Sequence, residues 1–469
     1  MLTDTPTICV PARRRGFLLA GVLAIVGQAG TAVAGENAPF VPGEVLAHLQ
    51  PGANPDLLAA SLGSVVLDRI TSRNIVRFAV PTGVDEQQFA SDLEGNPLVQ
   101  NAELNYIADE TDPTGGTQSI FILEREARFF SQTSMTVVGA PEGQSVGLGW
   151  GITVAIIDSG VDTTHPFLRT RIAPGGLDLV DRGTAPLDDG DGLDNDGDTL
   201  IDEFVGHGTM VAGIVALVAP EARLLPVRVL DSDGSSTVFR LIDGIYAATD
   251  LGADILNISL GTPGESELLM EAVLEATAAG RLVICSAGND ATDGITVYPA
   301  GLGVNGVIGV AATRNNDTIA PFTNFGWVTM AAPGDPVIGP VPGGAYGRAS
   351  GTSFSAPIVS GAAAILRSVM PAVPMDHIRS LIVETAQNVD AVNPEYQGKL
   401  GSGRLSLPNA AKSIPTSSVA DLNANRRVDV DDLHEMYQSP RDLNADGVID
   451  RHDFDALEAF IRRGERPLP

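Results

Sequence analysis

Gly351-Thr352-Ser353-Phe354-Ser355-Ala356-Pro357 opens an apolar, alanine-rich run that includes Ile358, Val359, Ala362, Ala363, Ile365 and Leu366. Such a run reads as a buried helix. A serine at a helix N-terminus lies beside unpaired backbone N–H groups and the positive end of the dipole, and both stabilise negative charge. A serine that attacks a carbonyl and leaves an oxyanion needs that setting. Two upstream segments complement it. The apolar run Ile152 to Ile157 ends in Asp158-Ser159-Gly160. That is the pattern of a buried parallel strand with an aspartate at its carboxyl end, where open α/β sheets build their sites. Gly206-His207-Gly208-Thr209-Met210-Val211-Ala212-Gly213 places a histidine ahead of a small-residue helix.

Asp158, His207 and Ser353 thus occur in that chain order, each with a glycine within two residues. The order is that of subtilisin, not of chymotrypsin or the α/β-hydrolases. On these residues the chain resembles the subtilisin-like serine peptidases. Asp254-Ile255-Leu256-Asn257-Ile258-Ser259-Leu260-Gly261 is similar to the family strand that pairs with the substrate backbone. Val283-Ile284-Cys285-Ser286-Ala287-Gly288-Asn289 resembles the strand that ends in the oxyanion-hole asparagine. The resemblance implies a three-layer α/β/α catalytic domain around a largely parallel sheet, acting on protein or peptide substrates. It implies Asp158, His207, Ser353 and Asn289 as catalytic residues, and Ser259, Leu260 and Gly261 as a substrate-pairing edge. Thr296-Val297-Tyr298-Pro299 resembles the segment lining the primary specificity pocket, with Val297 at the base. A valine there is expected to favour small or medium apolar side chains at the cleaved position. The family pattern is also broken in two places. His207 to Pro220 is too short for the insertion that carries a familiar calcium site, and Met210 replaces a second histidine and is expected to pack.

A net charge of −29 over 469 residues argues against nonspecific binding to nucleic acid or anionic membranes. Arg13-Arg14-Arg15, an apolar run from Phe17 to Val26 and Ala32-Val33-Ala34 read as a secretory signal over residues 1–34. The run is too short to span a membrane, so no span is expected once the signal is removed. Arg14-Arg15-Gly16-Phe17-Leu18 fits a twin-arginine export signal and a general one equally. The expected location is secreted, extracellular or cell-surface associated. Cys285 is the one cysteine beyond the signal, so no internal disulfide forms, and it reads as a buried thiol.

Residues 42 to 110 read as β-α-β-β-α-β, a ferredoxin-like α+β order. In this position the unit resembles the propeptide of subtilisin-like zymogens; the plain alternative is an independent module. The expected organisation is signal 1–34, propeptide 35–117, peptidase domain 118–413, linker 414–420 and a C-terminal module 421–469. That module carries a tandem repeat. Asp421, Asn423, Asn425, Asp429 and Asp432 recur as Asp442, Asn444, Asp446, Asp450 and Asp453, each set followed by a helix-like run. Oxygen ligands at loop positions one, three, five, nine and twelve suit calcium. Aspartate at the twelfth position and a 21-residue repeat resemble a small all-α dockerin module, implying a cohesin-like scaffold partner. Arg426 replaces the glycine of the first loop's sharp turn. A second functional reading follows: a self-processing, calcium-dependent docking protein with little general proteolytic activity.

Residues 178 to 203 form an acidic insertion with ten carboxylates against one arginine. Asp194, Asp196, Asp198 and Asp202 fall at calcium-loop spacing, so structural calcium is favoured over a merely solvated loop.

Overall fold

A computed structural model describes residues 38–109, 121–183, 185–371, 373–414 and 430–441, with Arg451 and Phe454. The N-terminal unit runs β1 (Phe40–Leu49), α1 (Pro55–Ser61), β2 (Val66–Ile70), β3 (Ile75–Ala79), α2 (Glu86–Glu94) and β4 (Val99–Tyr106). Its sheet is antiparallel in the order β2-β3-β1-β4, the ferredoxin-like arrangement expected. Both helices start where the sequence supplies a cap. Asn54 accepts from the Asp56 and Leu57 N–H groups, and Asp85 accepts from Gln88 N–H. Val45, Ala47, Leu49, Val76 and Phe78 point to one face and are buried with α1 and α2. Leu46, Ile70 and Ile75 point to the other face and join the core of the following domain. The period-two alternation of a strand thus serves two partners at once.

The larger domain begins with β5 (Ile122–Glu124), α3 (Glu126–Phe130), α4 (Thr133–Val138) and α5 (Ala140–Gln144). Then come β6 (Thr153–Asp158), β7 (Leu177–Asp178), α6 (His207–Val218), β8 (Arg223–Arg228), α7 (Val238–Asp250) and β9 (Ile255–Ile258). They are followed by α8 (Glu267–Ala278), β10 (Leu282–Ser286), β11 (Val307–Arg314) and β12 (Met330–Asp335). The hairpin β13 (Val337–Val341) and β14 (Ala345–Ala349) leads into α9 (Thr352–Val369), α10 (Met375–Glu384) and α11 (Leu407–Ser413). Seven parallel strands lie in the order β12-β11-β10-β9-β6-β8-β7. Their apolar runs lack a polar face because both faces are covered. Val154, Ile156, Leu224, Ile284 and Val310 meet α6 and α9, while Ala155, Ile157, Val227, Leu256 and Cys285 meet α7 and α8. Burial pushes the Cys285 thiol pKa up, which suits packing rather than reactivity.

The chain leaves β6 for β7 and then β8 on one side and later returns to β9 on the other. That reversal opens a crevice at the carboxyl ends of the strands. The acidic insertion starts inside the sheet: Asp178 closes β7 and forms a buried pair with Arg228 at 2.9 Å. Of the C-terminal repeat, the described residues include α12 (Val430–Gln438) and a contact between the Tyr437 and Phe454 rings, with centroids 5.0 Å apart. Asp421, Asn423, Asn425, Asp429, Asp442, Asn444, Asp446, Asp450 and Asp453 lie outside the described residues. Asp432 lies on α12, and its side chain is outside them too. No helix among the described residues is long and apolar enough to cross a membrane.

Candidate active site

Asp158, the last residue of β6, is fully buried. Its Oδ1 accepts the Ser159 N–H at 2.8 Å and lies 2.7 Å from Nδ1 of His207, the first residue of α6. That approach depends on Gly208. A methyl group there would lie 2.1 Å from the Gly160 carbonyl oxygen and 3.0 Å from Asp158 Oδ1. Met210, in the same helix, is buried in the core, the packing role expected of it.

Ser353 is the second residue of α9, where backbone N–H groups lack helical partners. Pro357, four residues on, has no N–H to offer, so the Ser353 carbonyl is released from the helical ladder. It accepts the Ser259 hydroxyl at 3.0 Å, and the Ser353 hydroxyl donates to the Ser259 carbonyl at 3.3 Å. The next residue, Phe354, stands against the His207 ring with centroids 5.2 Å apart. The imidazole and the start of α9 therefore share one wall of the crevice.

Asn289 follows β10. Its amide oxygen accepts the Thr352 N–H at 2.9 Å and the Thr352 hydroxyl at 3.0 Å. A backbone N–H can only donate, so the oxygen is the end held there and Nδ2 is the end left to face the turn at Gly351. Asn324 holds the loop from behind. Its Nδ2 donates to the Ala287 carbonyl at 3.0 Å, and its Oδ1 accepts the Asp290 N–H at 3.0 Å.

Gly261 exchanges two backbone hydrogen bonds with Asp109, at 3.0 and 3.1 Å, and Ala108 N–H donates to the Ser236 carbonyl at 3.1 Å. The tail of the N-terminal unit thus lies antiparallel along the edge expected to pair with substrate. Leu260 turns into the core. Val297 stands between the two walls of the crevice: Cβ atoms on Gly261 and Gly288 would lie 2.4 and 3.1 Å from its methyl groups.

The N-terminal unit also reaches over two helices of the larger domain. Asn105 Oδ1 accepts the Phe239 N–H at 3.2 Å, at the start of α7. Glu103 accepts the Glu267 N–H at 2.9 Å, the Leu268 N–H at 3.3 Å and the Ser266 hydroxyl, at the start of α8. Burial pushes the Glu103 carboxyl up to about 7 against these donors.

Sequence reasoning counted Asp188 only as one more acid of the insertion. It is buried and receives four hydrogen bonds around the Asp158–His207 pair. The signal in the sequence was the apolar Pro186-Leu187 just before it, which carries the chain back under the fold. Further along, oxygens of Asp194, Asp196 and Asp198 all lie within 4.8 Å of one another, exposed, and could bind a metal ion. Asp202, expected with them, is instead engaged by the backbone: its carboxylate accepts N–H groups of Asp191 and Gly192 at 2.9 and 3.2 Å. Its own N–H donates to Asp233 Oδ1 at 2.6 Å.

A family model described as "Subtilase family" matches residues 149–403, and one described as "Fervidolysin N-terminal prodomain" matches residues 27–105. The chain belongs to the subtilase family. It is 31% identical to the "Thermophilic serine proteinase" of Bacillus sp. (strain AK1), over 81% of this chain and 89% of that protein. It is 33% identical to "Subtilisin E" of Bacillus subtilis (strain 168), over 70% of this chain and 79% of that protein. The crystal structure of fervidolysin from Fervidobacterium pennivorans, described as a keratinolytic enzyme related to subtilisin, superposes with a TM-score of 0.65 at 24% identity. That likeness covers 81% of this chain and 62% of the fervidolysin chain, and it speaks for the fold. This subtilase is a serine endopeptidase acting on protein substrates, and it is made as a zymogen with an N-terminal prodomain.

Proposed function

We propose that Asp158, His207 and Ser353 form the triad of this subtilase, with Asn289 and the Ser353 N–H as its oxyanion hole. The observation that carries the reading is the buried 2.7 Å contact between His207 and Asp158 beside the start of α9. His207 takes the Ser353 hydroxyl proton as the oxygen attacks the peptide carbonyl. Asp158 holds the imidazole by its Nδ1–H and stabilises the cation that forms. The amide of Asn289 and the Ser353 N–H donate to the oxyanion. The imidazolium returns the proton to the leaving amine, and water repeats the sequence on the acyl-enzyme. Val297 narrows the primary pocket, so small or medium side chains are favoured at the cleaved position.

The antiparallel register supports a processing site. Asp109 faces Gly261, which lies two residues beyond Ser259, whose carbonyl the Ser353 hydroxyl contacts. The bond cut in maturation is then Thr111–Asp112, six residues before the boundary expected from the sequence. The leader at residues 1–34 supports secretion. Asp194, Asp196 and Asp198 support a structural calcium site, and the C-terminal repeat supports a calcium-dependent dockerin-like attachment to a cohesin-like partner.

The test uses the full chain and Ser353→Ala. The wild type self-processes to a product beginning at Asp112, reacts with a fluorophosphonate at Ser353 and turns over added protein. Ser353→Ala stays unprocessed and unlabelled. Processing that survives Ser353→Ala removes the reading. Calorimetric calcium titration with Asp194, Asp196 and Asp198 changed to Asn should lose one site. Pull-downs with calcium and with chelator test the C-terminal attachment.

A further inference from the structure

We propose that Asp188 is a positioning residue for proteolysis: a buried anion that ties the end of β6 to the start of α6 and thereby sets Asp158 against His207. The inference rests on the triad reading above.

Asp188 Oδ1 accepts the Ser159 hydroxyl at 3.0 Å and the Gly206 N–H at 2.9 Å. Oδ2 accepts the Thr209 N–H at 2.9 Å and the Thr209 hydroxyl at 2.5 Å. Ser159 and Gly206 are the chain neighbours of Asp158 and His207. One carboxylate therefore grips both sides of the catalytic pair.

The donor pattern favours the ionised form. Two of the four donors are backbone N–H groups, which can only donate. The two hydroxyls already serve as acceptors: Ser159 Oγ accepts the Gly208 N–H at 3.0 Å, and Thr209 Oγ1 accepts the Asp162 N–H at 2.8 Å. Each still has its own proton to give, and Asp188 is the acceptor within reach. Four inward donors are the environment of a carboxylate, and the N-terminus of a twelve-residue helix adds a favourable dipole. Burial and the charge of Asp158 push the Asp188 carboxyl up, so the donors act against desolvation.

The seat is also rigid. A Cβ on Gly160 would lie 2.4 Å from the Leu187 carbonyl oxygen, and Val161 N–H donates to the Pro186 carbonyl at 2.9 Å. Asp188 arrives on a segment wedged under the turn that follows Asp158. Such support is what holds a reacting geometry within a fraction of an ångström.

The experiment compares Asp188→Asn, Ser159→Ala and the exposed neighbour control Asp189→Asn with Ser353→Ala, all in the full chain. Active sites are titrated with a fluorophosphonate, and kcat, KM and the pH profile of kcat/KM are measured on a peptide substrate. Asp188→Asn is expected to lower kcat per titrated site by about 10–100-fold with KM within about twofold. Loss of a buried negative charge also disfavours the imidazolium, so the acid limb moves to lower pH. Ser159→Ala should lower kcat less, and Asp189→Asn should change neither parameter. Unchanged kcat per site and an unmoved profile in Asp188→Asn overturn the proposal. If that variant does not fold, Ser159→Ala decides, because it keeps the carboxylate and cuts one link; wild-type kcat there overturns the proposal. Activity surviving in Ser353→Ala would instead sink the triad reading.

Discussion

Replacing Gly208 with alanine tests the active-site geometry most directly. The new methyl group would sit 2.1 Å from the Gly160 carbonyl oxygen, and a carbon–oxygen contact needs to open by about 1 Å to be tolerated. Gly160 cannot give way, because the Leu187 backbone lies against it. The start of α6 must therefore move, and His207 is the adjacent residue. Adding about 1 Å to the 2.7 Å Asp158–His207 contact ends that hydrogen bond. A displacement of that size costs about 10²-fold in rate, and full loss of the aspartate's hold on the imidazole up to about 10⁴-fold. Those factors correspond to about 2.7–5.4 kcal/mol of barrier. Overpacking itself costs about 1–3 kcal/mol of stability, small enough for the fold to survive. The assay is self-processing of the full chain followed on gels and by intact mass, with near-UV circular dichroism to confirm the native core. A folded Gly208→Ala protein that matures within threefold of the wild-type rate would refute the reasoning.

Asn289→Ala should lower kcat by about 10²–10³-fold with little change in KM, the magnitude known for subtilisin's own oxyanion-hole amide. Val297→Gly removes the methyl groups between Gly261 and Gly288. A peptide library should then show aromatic residues at the cleaved position gaining at least about tenfold over the wild type. Docking of the cleaved prodomain should be pH-dependent through Glu103, whose carboxyl is raised to about 7 by burial. A raised carboxyl favours the docked state when protonated. Its contribution is therefore full below the ordinary carboxylate range and lost as pH rises through about 7. Release rates should rise between pH 5 and about 7.5, and Glu103→Gln should flatten that slope.

Much of the architecture could be read from local pattern. The prodomain order was legible because its strands alternate and because Asn54 and Asp85 announce its helices. The parallel sheet was legible because runs such as Val283-Ile284-Cys285 carry no polar face. Three things depended on contacts distant in sequence. Residues Ile122–Glu124 form a strand only because β14 receives them more than 200 residues later. Glu103 acts as a cap only when α8 of another domain is brought beneath it. Asp188 and Asp202 look alike in a run of acids, yet one is sealed under Gly160 and the other is folded back onto Asp191 and Gly192. Composition describes such a run as a single acidic loop. The position of each carboxylate is set by where the chain is anchored.

The anchoring of this insertion has a practical consequence. One end is held at Asp188, beneath the turn after Asp158, and the other at Phe204, whose N–H donates to the Ser232 carbonyl at 3.0 Å. Between those pins nearly every residue from Asp189 to Ile201 is exposed. The stretch is therefore a natural splice point. A sensor peptide or an affinity handle could be inserted into it, at the cost of the Asp194, Asp196 and Asp198 cluster, while the anchors at Asp188 and Phe204 stay in place.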